Sequence, residues 1–461
     1  MVRGRLLVCM AACAGALAFG CNALLGLGNY RSCDGGECTA DASATETGPP
    51  AAACEASADC VAADAGLLCS SGACASVTSL ARGMSTSECA VLSDGTARCW
   101  GNNAAGQLGN AQPSPTNVAQ PQVVLDEFGQ PMTGIQQISL GYDFACALRT
   151  TGTNSSVWCW GTSASGGGGG QLKPQQVNLG NSAVLSVSAA NDSACALVHE
   201  TARNNVYCWG TNTNGKMGCD NGLACEDGGA PSPSTPTVGL PYLLPTVKEP
   251  KFLANGLYAL CIGFASSGFI DCFGTDGFGG LGDGTATPSS CCAESNPEPV
   301  LAATMVDLQG SDFYTCAQDD NKTWSCWGGN LGEGCPLLNG CADLHAPTQL
   351  SIGAGSIVNL TPGWRHACGI TSDAVWCWGQ NDHGQVGDNT RSGSDVGPTK
   401  TLLPVRAHDI AAHRHFTCAL GDDGQVYCWG QNGDQNDSTP WLVGVGSPQG
   451  DVLTPKPVVW E

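Results

Sequence analysis

The stretch CALGDDGQVYCWGQN, Cys418–Asn432, sets two cysteines either side of a polar centre and follows the second with Trp429 and Gly430. Asp423-Gly424 is a pair that tolerates the backbone of a tight turn, and the flanking Cys418-Ala419-Leu420 and Val426-Tyr427-Cys428 have strand character. The expected element is an antiparallel hairpin. Its cysteines then lie across the pair at a spacing that suits a disulfide.

The segment recurs as CAVLSDGTARCWGNN from Cys89, CALRTTGTNSSVWCWGTS from Cys146 and CALVHETARNNVYCWGTN from Cys195. It recurs again as CIGFASSGFIDCFGTD from Cys261, CAQDDNKTWSCWGGN from Cys316 and CGITSDAVWCWGQN from Cys368. The second cysteine falls at 99, 159, 208, 272, 326, 377 and 428, in steps of 60, 49, 64, 54, 51 and 51 residues. A period of roughly fifty residues is that of a propeller or a solenoid. Between hairpins the chain repeats a proline followed by an apolar strand, as in PTQLSIGAGSIVNLTPGWRHACGI, so each unit holds four strands. Seven such units in succession predict an all-β, seven-bladed β-propeller over 76–461. The first copy opens directly on SVTSLARGMSTSECAVL without a proline strand, and the chain ends in TPKPVVWE. That C-terminal strand is therefore expected to complete the first blade and close the ring, removing an exposed sheet edge.

The repeats resemble those of the regulator of chromosome condensation family. The residues that carry the resemblance include Ala90, Leu92, Asp94-Gly95, Trp100-Gly101-Asn102 and Gly106-Gln107-Leu108-Gly109 in the first copy. In the sixth they are Gly363, His366, Trp378-Gly379 and Gly384-Gln385-Val386-Gly387. Phe273 replaces the tryptophan in copy four, and GGGGGQL widens the loop of copy two. The family includes a nucleotide-exchange factor, interaction modules and a secreted inhibitor, so the resemblance implies a binding scaffold without selecting a ligand.

Composition places this scaffold outside the cytoplasm. Eighteen basic against 40 acidic residues give a formal charge of -22, which repels nucleic acid and anionic membrane surfaces. Twenty-nine cysteines exceed what a reducing compartment sustains. Arg3 and Arg5 precede the apolar run LLVCMAACAGALAFG, the layout of a signal peptide over 1–20. Ala18-Phe19-Gly20-Cys21 resembles a bacterial lipobox, although Leu17 lies one residue too far back and Phe19 is bulky. Losing Cys9 and Cys13 with the signal leaves 27 cysteines, and acylating Cys21 leaves an even 26. Lipidation of Cys21 is expected, with ordinary signal cleavage and secretion as the alternative.

Residues 21–53 read as a tether rich in Ala, Thr and Pro, and 54–75 as a small disulfide-rich segment, too short for a core of its own. The expected hairpin disulfides are Cys89–Cys99, Cys146–Cys159, Cys195–Cys208, Cys261–Cys272, Cys316–Cys326, Cys368–Cys377 and Cys418–Cys428. Cys33–Cys38, Cys219–Cys225 and Cys335–Cys341 are expected as local loops. Cys54–Cys69 and Cys60–Cys74 are chosen from three connectivities, and the state of Cys291 and Cys292 stays open.

Chemistry-bearing groupings are few. Ser93–Trp100 lacks the spacing of a sialidase Asp box, and Gly166–Gly170 lacks the lysine and context of a P-loop. Acidic loops around Asp283, Asp434 and Asp437 lack the spacing of a calcium loop. His408, Asp409, His413 and His415 offer zinc-type ligands within eight residues, but packing and solvation account for them, so no metal, cofactor or catalytic residue is assigned. The recurring tryptophans read as inter-blade packing. The expected function is a monomeric, envelope-displayed scaffold binding a protein or glycan, with repeat-breaking loops as binding candidates. The alternative is an extracellular hydrolase or lyase with its site at the ring axis.

Overall fold

The computed structural model describes residues 67–460 except 71–72, 115–116, 163–170, 181, 202, 213–214, 218–236, 245–248, 265–267, 277, 285–292, 295–303, 330–342, 434–442 and 447–449. These residues belong to a unit spanning Ala51–Glu461. Among them there is no helix, and seven sheets follow one another along the chain.

The first sheet holds Ala73–Leu80, Ser87–Leu92, Ala97–Gly101 and Val118–Val123, and the second Ile135–Leu140, Phe144–Thr151, Asn154–Gly161 and Gln171–Gln176. The pattern of four consecutive antiparallel strands continues to the seventh sheet, Ala407–Ala412, Phe416–Gly421, Val426–Gly430 and Val452–Pro457. Successive first strands contact one another, so they line the ring axis and the fourth strands lie outermost. The fold is a seven-bladed β-propeller.

The hairpin read from the sequence is the second and third strand of each blade. Every cysteine pair sits directly opposed across it, Cys418 against Cys428 and Cys89 against Cys99 for instance. All seven pairs are disulfides with Cα atoms 4.1 Å apart, a close approach of the kind found at non-hydrogen-bonded positions. Turn chemistry does the rest. Gly424 donates to the Gly421 carbonyl at 2.9 Å, and Asp423 Oδ1 accepts from Gln425 N–H at 3.1 Å.

Ring closure differs from the sequence expectation. The C-terminal strand Val452–Pro457 pairs with Val426–Gly430 inside the seventh sheet and does not complete the first. The first blade has its own inner strand, Ala73–Leu80, paired with Ser87–Leu92. That strand was hidden because it lacks a leading proline and emerges from the cysteine-rich segment, whose Leu67–Ser70 pairs with it as a fifth strand. The boundary expected at 75/76 therefore falls within a strand. Arg82–Gly83 then pairs in parallel with Ser139–Leu140, lending blade two an extra strand. The ring closes by side-chain packing: Leu68, Val77 and Leu80 share one buried cluster with Ile410, Phe416 and Leu420. Apolar burial at ~25 cal/mol per Å² makes such a seam a large part of what holds the ring.

Candidate functional site

Burial of a tryptophan in the blade seams recurs around the ring and accounts for much of the repeat signature. The tryptophan of each Trp-Gly pair is buried at 0–1% exposure for Trp100, Trp160, Trp209, Trp327, Trp378 and Trp429. Trp160 Nε1 donates to the Gln107 carbonyl of the preceding blade at 2.7 Å, and Trp429 Nε1 to that of Gln385 at 2.8 Å. Among the described residues, Gly109, Gly282 and Gly387, each in the loop after a Trp-Gly (in copy four, Phe-Gly) pair, lie against the tryptophan of the next blade. A Cβ on Gly387, at φ +77°, would come within 2.7 Å of Trp429 Nε1. Gly444 meets Trp100 in the same way, so the loop after the seventh hairpin joins last blade to first with the device used elsewhere. Trp460 adds an edge-to-face contact with Trp100, centroids 5.7 Å apart. These tryptophans are architecture.

The strand order fixes where a partner could meet the ring. The turn between first and second strands opens on the same face as the long loop between third and fourth, and the first strands lie nearest the axis. The seven first turns therefore form the axial mouth of that face. Backbone bonds tie neighbours together: Tyr142 N–H to Asn191 C=O at 3.0 Å, Trp364 N–H to His413 C=O at 3.2 Å and Arg414 N–H to Ser85 C=O at 3.4 Å.

At this mouth an arc of rings runs through blades four to seven. Tyr258 meets Phe278 and Phe313 at 5.2 and 5.3 Å, Phe313 meets Trp364 at 6.0 Å, Trp364 meets His415 at 5.1 Å, and His415 meets His383 at 5.2 Å. The arc is half-buried, and Phe278 is 37% exposed. The Arg414 guanidinium stacks over Trp364 at 5.0 Å and over Tyr142 of blade two at 4.9 Å. Cation and ring faces attract, and the partly desolvated setting strengthens the effect.

Acidic groups surround the arginine. Burial pushes the Asp312 carboxyl up to about 6 against the opposing pull of Lys216 and Arg414. Burial likewise raises Asp143, again opposed by Arg414. Lys216, 1% exposed, donates to Asp192 Oδ1 at 3.1 Å and to the Gly256 carbonyl at 3.0 Å. Burial, with the charge of His383, lowers His415 to about 4. A neutral imidazole therefore ends the arc.

The four groups that the sequence set together are dispersed. His408 is exposed on the opposite face, 3.6 Å from Asp422, beside a cleft of about 330 Å³ lined by Val358, Ile370 and Arg406. Asp409 accepts from Leu80 N–H at 2.8 Å and pairs with Arg82 at 3.4 Å. His413 pairs with Glu88 at 2.7 Å, both wholly buried. Only His415 reaches the mouth, where Asp382 and His383 of blade six join it. Sequence reading missed those two because they lie in the loop after Trp378-Gly379, more than thirty positions away.

Cys69 and Cys74 are both disulfide-bonded, and their expected partners Cys54 and Cys60 lie outside the described residues. Cys21, Cys33, Cys38, Cys219, Cys225, Cys291, Cys292, Cys335, Cys341, Asp434, Asp437 and Gly166–Gly170 also lie outside them. No helix among the described residues is long and apolar enough to cross a membrane.

Two family profiles, both described as Regulator of chromosome condensation (RCC1) repeat, match this chain. One covers residues 135–166, 357–385 and 408–435, the other 94–148 and 372–420. The human E3 ubiquitin-protein ligase HERC2 is 26% identical over 216 residues, 44% of this chain and 4% of that protein. The human Regulator of chromosome condensation is 30% identical over 128 residues, 28% of each chain. The chain thus spans less than a third of either relative's length. The crystal structure of Prp20p from Saccharomyces cerevisiae, described with its binding to Gsp1p and histones, superposes with TM-score 0.63 at 19% identity, covering 78% of this chain and 85% of that one. Residues 94–166 and 357–435 thus match regulator of chromosome condensation repeats, and the seven-bladed ring has the fold of Prp20p.

Proposed function

We propose that this propeller is a protein-binding scaffold that acts without catalysis, engaging its partner through the axial face that carries the arc from Tyr258 to His415. The observation that carries the reading is that arc with Arg414 stacked at its end. Aromatic rings and arginine are the side chains that dominate binding energy at protein interfaces, and blades each stapled by a disulfide across the central hairpin present them preorganised. Prp20p, of similar fold, is described as binding Gsp1p and histones, which makes protein the favoured class of partner over glycan. The acidic balance of this chain disfavours nucleic acid. The alternative, a hydrolase or lyase at the axis, is favoured by one observation, the raised Asp312 carboxyl at the mouth. Lys216 and Asp192 give Asp312 a structural setting that needs no substrate.

A photo-crosslinking residue placed at Phe278 tests the reading. The control is the same residue at Phe128, 80% exposed in the loop after the fourth strand of blade one and hence at the other face. Protein adducts are expected from position 278 alone. Equal adducts from both positions, or saturable glycan binding with no protein adduct, overturn it.

We further propose that the scaffold is exported and held at a bacterial envelope through Cys21, as the signal-like N-terminus and cysteine content suggest. Intact mass of the membrane-fraction protein should show an acylated Cys21 as the first residue. Cleavage elsewhere with an unmodified Cys21 refutes the anchor.

A further inference from the structure

Two departures from the repeat meet at the seam between blades six and seven. In the loop after the Trp-Gly pair, the residues before the conserved glycine are Ala104-Ala105 in copy one and Asp382-His383 in copy six. In the turn between first and second strands, the residue just before the second strand is Asp143, Asp192, Tyr258, Phe313 or Arg365 in blades two to six, and His415 in blade seven. The fold brings these together: one carboxylate oxygen of Asp382 and one ring nitrogen each of His383 and His415 lie within 4.8 Å of one another.

The hydrogen bonds around the group bear on its chemistry. His383 Nδ1 is 3.0 Å from Asp451 Oδ2, an acceptor, so Nδ1 carries the proton. Nε2 is then the position open to either a second proton or a metal ion, and it faces the Asp382 Oδ2 carboxylate oxygen at 3.8 Å. Asp451 is itself held by Arg391, and Asp382 accepts from the Gln380 amide at 2.9 Å and the Gln385 amide at 3.1 Å. A carboxylate behind a histidine, and hydrogen bonds onto a carboxylate, are the outer supports typical of metal sites. A second independent sign is His415 Nδ1, buried and without a hydrogen-bond partner.

We infer that Asp382, His383 and His415 form a divalent transition-metal site of the zinc class, oriented by Asp451 from behind. Two imidazoles and one carboxylate suit Zn²⁺, whereas Ca²⁺ and Mg²⁺ take oxygen donors throughout. Three protein ligands leave a fourth position for water. The site adjoins the aromatic arc through the Trp364–His415 contact, yet the inference rests on ligand geometry and stands whether or not that face binds a protein.

The test is calorimetric titration of the metal-stripped, disulfide-intact full chain with Zn²⁺, after alkylation of any free thiol. The expected result is one saturable site, lost in His383→Gln and in His415→Gln. Asp451→Asn should weaken it by roughly 10–100-fold, since it supports a ligand without being one. Co²⁺ bound to the unsubstituted chain should show weak visible bands and no thiolate charge-transfer absorption. Should His415→Gln fail to fold, the half-buried Asp382→Asn carries the same expectation. Zn²⁺ uptake that these variants leave unchanged, or no saturable uptake by the unsubstituted chain, overturns the inference. In that case His383 is a doubly protonated ring lying between Asp382 and Asp451.

Discussion

The seam between blades six and seven and the seam between blades seven and one each bury a histidine, and they use it in opposite ways. At the first, Thr417 Oγ1 donates to the Gln385 carbonyl at 3.1 Å, so it can only accept from His366 Nε2 at 2.9 Å. His366 is therefore the neutral Nε2–H tautomer, and burial lowers it to about 3. At the closing seam, His413 Nδ1 donates to the Gly83 carbonyl at 2.9 Å, and Nε2 meets Glu88 Oε2 at 2.7 Å. That short contact needs one proton shared between imidazole and carboxyl. Burial raises Glu88, with His413 and the Cys89 N–H opposing. The ordinary seam joins residues 51 apart in sequence, while the closing one joins residues 325 apart. Neighbouring blades are held close by the chain itself. The last and first are not, and the structure places a buried, proton-sharing pair at the joint that chain connectivity supports least.

The strongest way to break this contrast is to remove one partner of the closing pair. Glu88→Ala leaves His413 buried and unmatched, and should cost about 3–5 kcal/mol in denaturant unfolding. Glu88→Gln, which keeps an acceptor, should cost less. At the ordinary seam, Thr417→Val strands the His366 N–H and should cost about 1–3 kcal/mol. Equal losses from Glu88→Ala and Thr417→Val would mean that closure is no different from any other joint.

The sharper and smaller test is pH. His366 has a folded pKa depressed from 6.5 to about 3, so its contribution is present above 6.5 and is lost as pH falls through 3. Glu88 is raised above 4.5, so its contribution is full below 4.5 and is lost as pH rises through its folded value. Each proton sets a slope of at most about 1.4 kcal/mol per pH unit. Melting curves across the acid range should lose the acid-side slope in His366→Gln and the opposing one in Glu88→Gln. If the two variants flatten the same limb, the assigned protonation states are wrong.

The hairpins were legible because everything that makes them is local. Cys368 and Cys377, Asp423-Gly424 and the alternating strands sit within a dozen residues, where turn chemistry and period act directly. Ala73–Leu80 carries no such local mark, because this copy lacks the leading proline, and only pairing with Ser87–Leu92 defines it. His408, Asp409, His413 and His415 lie apart because alternation along a strand and its turn sends neighbours to different surroundings.

The sequence by itself determined the blade: its hairpin, its disulfide, its tryptophan and its seven-fold repetition, all encoded at short range. The tertiary structure alone decided how the ring closes, which tyrosine and arginine share the axial mouth, and which histidine joins Asp382. Those contacts join residues from about thirty to more than three hundred positions apart. At such separations no spacing rule operates, and only the packing of complete blades brings the side chains together.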